Sequence, residues 1–173
     1  IGPADGLGAL RIRSLFEDRQ GRLWVGTNED GVSVREGARF RTLRAGDGLS
    51  NDTVRVIYQT PDNRIWIGTN ARGLTCWENG RLRAYGVKPG PLSDYGPSDA
   101  SVDDNVLDLW QDPAGTLWIA TDADGLWHLA GGRITAFRPP RETGRRGVRR
   151  LLPDSTGGLW VGKFIKTVTY QHL

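Results

Sequence analysis

Large apolar residues fall in short clusters along this chain, each broken within a few positions by glycine, asparagine or aspartate, and one such stretch is written four times. The copies occupy residues 16–27, 58–69, 110–121 and 152–163. Each sets a large apolar residue (Phe16, Tyr58, Trp110, Leu152) eight positions ahead of a tryptophan (Trp24, Trp66, Trp118, Trp160). Successive tryptophans are 42, 52 and 42 residues apart, a period that signals a modular β architecture. In the second copy, residues 53–59 are rich in β-branched and aromatic side chains and predict a strand. Residues 60–63 predict a tight turn, 64–69 a second strand, 74–77 a third and 81–85 a fourth, with turns at 70–73 and 78–80. Four short strands joined by hairpins make one antiparallel sheet.

The other copies give the same reading. First strands are predicted at 12–16, 106–110 and 148–152, and the turn after them carries Gly21, Asn63, Gly115 or Gly157, the residue types that accept positive φ. Gly31, Gly73 and Gly125 open the third strands. Both faces of the first two strands are often apolar, so each sheet is covered on both sides. That favours radial stacking of four-stranded antiparallel blades in an all-β propeller over a solenoid or a sandwich of hairpins. Repeat units fall at about 6–47, 48–99, 100–141 and 142–173. Three blades are complete. The fourth supplies two strands and a third at 166–170, and residues 1–7 are short and glycine-rich for an outer strand. The chain is therefore expected to be a fragment of a larger ring, whose unpaired blade edge invites a second chain.

Composition narrows the function classes. The 38% hydrophobic content and 24 glycines suit a turn-rich β protein of 173 residues. Net charge is +3, with Arg141, Arg145, Arg146, Arg149 and Arg150 grouped in one loop and the strand after it. A nucleic-acid reader would spread basic and aromatic residues over a face; this run reads as a solvated loop, and no nucleic-acid partner is expected. Cys76 is the sole cysteine, which excludes an intrachain disulfide, and no stretch approaches a membrane span. The chain opens on Ile1 and has no methionine, so it reads as a piece of a longer parent.

Residues 48–54 (Gly48, Leu49, Ser50, Asn51, Asp52, Thr53, Val54), then Trp66, Ile67, Gly68, Thr69 and Gly73, Leu74, resemble the two-component regulator propeller repeat. Asp18, Gly21, Leu23, Trp24, Gly26 and Thr27 fit the same pattern, as do Asp112, Gly115, Leu117, Trp118 and Thr121, and Asp154, Gly157, Leu159, Trp160 and Gly162. Thr60 in place of aspartate and Ala120 in place of glycine are the departures, besides a drifted C-terminal end. The resemblance implies the periplasmic sensor part of a membrane-anchored signalling protein such as a hybrid histidine kinase. Oligosaccharide is the ligand class it implies, with the signal passing to an output domain elsewhere in the parent. The alternative is a scaffold or self-assembling module, a homo-oligomer formed through the open blade edge without a small ligand.

Enzymatic chemistry is not expected. Asp18, Asp112 and Asp154 recur once per blade at a hairpin turn, where a carboxylate caps backbone N–H groups, whereas an active site is built once. His128 and His172 are the only histidines, no metal-ligand spacing occurs, and no cofactor is expected. Trp24, Trp66, Trp118 and Trp160 read as blade packing, Trp77, Trp110 and Trp127 as core by default, and Cys76 as a small buried hydrophobe. Candidate ligand residues sit in the turns between second and third strands, where chemistry varies while the frame repeats: Asn28 and Asp30, Asn70 and Arg72, Asp122 and Asp124. Asn51, Asp52, Asp103 and Asp104 share that face, and Tyr95 belongs to the long 86–104 link.

Overall fold

A computed structural model of the chain describes residues 3–7, 11–71, 73–85, 105–137, 147–163 and 168–172. It is all-β. The first blade comprises β1 (Ile12–Glu17), β2 (Leu23–Thr27), β3 (Val32–Glu36) and β4 (Arg39–Leu43). The second comprises β5 (Val54–Gln59), β6 (Ile65–Thr69), β7 (Leu74–Glu78) and β8 (Arg81–Tyr85). The third comprises β9 (Val106–Gln111), β10 (Leu117–Thr121), β11 (Gly125–Ala130) and β12 (Arg133–Phe137). In the fourth, β13 (Val148–Pro153), β14 (Gly158–Lys163) and β15 (Val168–His172) form a three-stranded sheet. Each sheet is an antiparallel meander in chain order. The last strand begins two residues later than the 166–170 expected from sequence. Gly21, Asn63, Gly115 and Gly157 all adopt positive φ (74°, 67°, 89° and 88°), as their turns require.

Strands β1, β5, β9 and β13 neighbour one another in order and form the inner wall. Between consecutive blades lies a separate apolar layer. Trp24, Val32, Val34 and Leu43 of the first blade meet Val54, Ile57, Ile65, Ile67 and Trp77 of the second. Trp66, Leu74 and Cys76 meet Val106, Leu109, Leu117 and Ile119, and Trp118, Ala120 and Leu126 meet Val148, Leu151, Leu159 and Val161. The repeated tryptophan thus closes its blade against the next. Cys76 sits in such a layer, and burial pushes its thiol up to about 12, which makes it unreactive.

The glycine of the second strand sets how near the blades approach. A Cβ on Gly26 would lie 2.6 Å from Cγ1 of Val54, and one on Gly68 would lie 2.6 Å from Cγ1 of Val106. Each valine opens the inner strand of the following blade. At Gly162 the nearest atom is 3.6 Å away and belongs to Arg150 of the same blade. Among the described residues, the exposed large apolar side chains fall on the two outer faces of the arc: Ile12 and Leu15 on β1, Leu152 on β13 and Trp160 on β14. The equivalents of Ile12, Leu15 and Trp160 inside the arc, Val54, Ile57 and Trp24, are buried, and the equivalents of Leu152, which are Tyr58 and Trp110, are partly buried. Trp160, expected to pack like its three counterparts, is 43% exposed because no blade follows it in this chain. The arc thus ends in two faces of the kind that meet inside it, as in a fragment of a larger ring. Residues 3–7 supply no strand; Leu7 is buried with Val25 and Phe40.

Candidate functional site

The recurring aspartates are structural. Asp18 Oδ1 accepts from the N–H groups of Gln20 and Arg22, and its Oδ2 accepts from Trp24 Nε1 at 2.7 Å and from Arg22 Nε at 2.6 Å. Asp112 accepts from Thr116 N and Trp118 Nε1, and Asp154 from the N–H groups of Thr156 and Gly158. In the first and third blades the turn and the blade's tryptophan are therefore tied by one carboxylate. Where Thr60 replaces it, the buried Trp66 Nε1 has no hydrogen-bond partner. Thr60 Oγ1 donates to Asp62 instead, and a cavity of about 110 Å³ lies beside them. Thr60→Asn would offer an acceptor to Trp66 and keep a donor toward Asp62. Urea denaturation should show a gain of about 1 kcal/mol, the usual cost of one buried unsatisfied donor. No gain would mean that water already serves the indole.

The turns after β2, β6 and β10 form one face with the links between blades. The N–H groups of Asn28, Asn70 and Asp122 donate to the carbonyls of Arg11, Thr53 and Asn105, which precede the inner strands of their own blades. Asn28 also bridges to Thr53, and the N–H groups of Glu29 and Gly31 donate to Asp52 O. Asn105 Oδ1 accepts from Ala71 N, and its Nδ2 donates to Asp122 Oδ2 at 3.4 Å. The structure thus brings Asn28, Asn70 and Asp122 into one network across three blades. Asp30 is turned outward to Arg44, 2.7 Å from its Nε. Asp124 lies half-buried in the turn before β11. Arg72, Tyr95, Asp103 and Asp104 lie outside the described residues, as do Arg141, Arg145 and Arg146.

A cavity of about 320 Å³ opens on the inner wall and is lined by Arg13, Arg55, Leu107, Arg149 and Arg150. Arg149 and Arg150 lie on β13, as the strand expected at 148–152 requires, are exposed to solvent, and line this cavity. Each inner strand has a register shift that skips one residue: Arg13, Arg55, Leu107 and Arg149. A bulge of this kind re-aims a side chain, here toward the axis. The signal was in the sequence, since these residues stand eleven positions before each repeated tryptophan. Arg13 Nε donates to Asn28 Oδ1 at 2.5 Å, and Arg55 Nε donates to Asn70 Oδ1. Two candidate turn residues therefore hold two inner-wall arginines. Among the described residues no group of His, Cys, Asp and Glu could hold a metal ion. His128 stacks on Trp118, and its Nε2 is 2.7 Å from Thr135 Oγ1, a packing role.

Residues 6–29 and 48–71 match the family model described as two component regulator propeller. These two stretches are two component regulator propeller repeats. No curated protein matches the chain. Among solved structures, the extracellular domain of a hybrid two component system from B. thetaiotaomicron superposes with a TM-score of 0.70 at 20% identity, covering 95% of this chain and 20% of that one. A second such domain from the same organism gives a TM-score of 0.70 at 22% identity, over 94% of this chain and 21% of that one. A streptogramin B lyase gives 0.68 at 14% identity, covering 96% of this chain and 57% of that one. Identities this low establish the propeller fold alone. The chain spans about one fifth of the two extracellular domains.

Proposed function

We propose that this propeller segment is the recognition part of an extracytoplasmic, periplasmic sensor. It binds a small ligand, with oligosaccharide as the leading class, on the face that carries Asn28, Asn70 and Asp122, and its signal passes to an output domain of a longer, membrane-anchored parent. The observation that carries this reading is the network that joins those three turn residues across three blades, with Asn28 and Asn70 bonded to two of the arginines that line the inner-wall cavity. The frame repeats while the turn sequences differ (Asn-Glu-Asp at 28–30, Asn-Ala-Arg at 70–72, Asp-Ala-Asp at 122–124), so the face can be tuned to a ligand without disturbing the fold. Recognition without catalysis fits a blade structure whose recurring carboxylates are consumed by turns.

The test is thermal denaturation of the chain with a panel of neutral and acidic oligosaccharides. A ligand at a hundred times its dissociation constant should add about 2.7 kcal/mol of stability. The triple variant Asn28→Ala, Asn70→Ala, Asp122→Ala should lose that response. A panel without any response overturns the sensor reading. A second reading, the assembly module, is favoured by the outer faces bearing Ile12 and Leu15 at one end and Leu152 and Trp160 at the other. It predicts concentration-dependent association in sedimentation, abolished by Leu15→Glu and by Leu152→Glu.

A further inference from the structure

We infer that the cavity on the inner wall is an anion site for a small organic ligand carrying two or more negative charges, held by Arg13, Arg55, Arg149 and Arg150. This deepens the sensor reading above and rests on it for the location of the ligand face. Four arginines from three inner strands line one space of about 320 Å³, and no acidic residue is among its described lining. An anion seated among arginines gains charge-assisted hydrogen bonds, roughly twice as strong as those between neutral groups. The volume falls at the lower end of the range of small-molecule sites, large enough for a disaccharide or a tricarboxylate.

The arrangement is built and not a chance meeting of long side chains. The bulged position of each inner strand supplies one residue, and it is arginine in the first, second and fourth blades. Asn28 and Asn70 take the Nε edge of Arg13 and Arg55, which fixes the plane of each guanidinium before a ligand arrives. A fixed planar fork suits carboxylate, phosphate or sulfate oxygens, which accept two parallel hydrogen bonds. Arg150 Nη1 is anchored more loosely, at 3.4 Å from Leu107 O.

Among the described residues, two carboxyls of the third blade have other hydrogen-bond partners. Asp108, on β9 beside Arg150, is occupied by the N–H groups of Leu151 at 2.8 Å and Leu109 at 3.0 Å. Asp122 is held by Asn105. The third blade breaks the basic pattern: Leu107 stands where the others have arginine. The site therefore has three basic sides and one apolar side. A ligand with charged groups on one edge and a carbon face on the other, such as an acidic sugar, matches it better than a bare tetrahedral ion.

The experiment is isothermal titration of the 173-residue chain with a uronic-acid disaccharide, its neutral hexose counterpart, citrate, inorganic phosphate and sulfate, at low and moderate salt. The uronic-acid disaccharide and citrate should bind, weakening as salt rises, and the neutral sugar should bind at least tenfold more weakly. Arg13→Gln with Arg55→Gln should cost tenfold or more in affinity. Arg35→Gln, which removes an equal charge from exposed β3 outside the cavity, should leave it unchanged. If the double variant does not fold, Leu107→Arg on the intact chain provides the second test and should tighten binding severalfold. Equal loss in Arg35→Gln, no change with Leu107→Arg, or binding only of phosphate and sulfate at millimolar levels would leave an adventitious ion only and overturn the proposal. Tight binding of the neutral sugar would also overturn it while the sensor reading stands. Failure of every probe here and of the oligosaccharide panel would remove both.

Discussion

Asp18→Ala is expected to lower the stability of the chain by about 3 kcal/mol, because it strands the buried Trp24 indole N–H together with two part-buried N–H groups of the turn. The carboxylate is fully enclosed, and removing it leaves Trp24 Nε1 and the N–H groups of Gln20 and Arg22 without their acceptor. For a domain of this size the melting temperature should fall by roughly 10 °C. Calorimetry on the wild type and on Asp18→Ala, with Asp18→Asn as the milder variant, measures it. A loss under about 1 kcal/mol would show that the turn does not depend on this carboxylate. The effect carries a pH signature. Burial alone would push the Asp18 carboxyl up, but hydrogen bonds from the Trp24 indole and from the Arg22 backbone and guanidinium, with the charge of Arg22, outweigh it and hold the group below 3.8. A depressed carboxylate contributes stability above its unfolded value, near pH 4, and loses it as the pH falls through the folded value. The gap between wild type and Asp18→Asn should therefore be widest above pH 4 and shrink below it.

Gly68→Ala is expected to cost about 2–3 kcal/mol, while the same change at Gly162 should stay within about 0.5 kcal/mol. The added methyl on Gly68 would lie 2.6 Å from Cγ1 of Val56 and Val106 and 2.9 Å from Cβ of Val106. Both valines are stiff at χ1 and sit on neighbouring inner strands, so relief requires the blades to part. At Gly162 the first contact is an ordinary 3.6 Å. Ala120 shows that a methyl fits when the layer forms around it, since it is fully buried against the fourth blade. Urea denaturation of both variants measures the contrast. Equal costs would show that the glycine serves its own strand and not the approach of the next blade. If further blades of the parent follow the fourth, Gly162→Ala should become costly in the longer protein.

Much of this molecule is written locally. The turn residues Gly21, Asn63, Gly115 and Gly157, the β-branched runs around Val54 and Val106, and the eight-residue spacing to each tryptophan determine strands, hairpins and blade count without reference to distant contacts. Thr60 looked like a mild departure from the repeat. Its consequence, an unpartnered Trp66 indole, depends on how far the turn stands from the strand opposite it.

That Asn28, Asn70 and Asp122 share one turn position was also legible, because each stands four residues after its repeated tryptophan. That they meet through Thr53 and Asn105 was not, because those bonds cross from one part of the chain to another. The basic cavity was hidden for a similar reason. Arg13 and Arg55 lie far from Arg149 and Arg150 in sequence, where the last two read as part of a charged run. A bulge moves one side chain out of the strand's alternation, so a period of two could not place them. Sequence alone determined the repeating unit, since short-range turn chemistry and strand propensity act within each unit. The tertiary structure alone decided what faces the axis and what the arc leaves exposed, because both depend on how whole blades pack against one another.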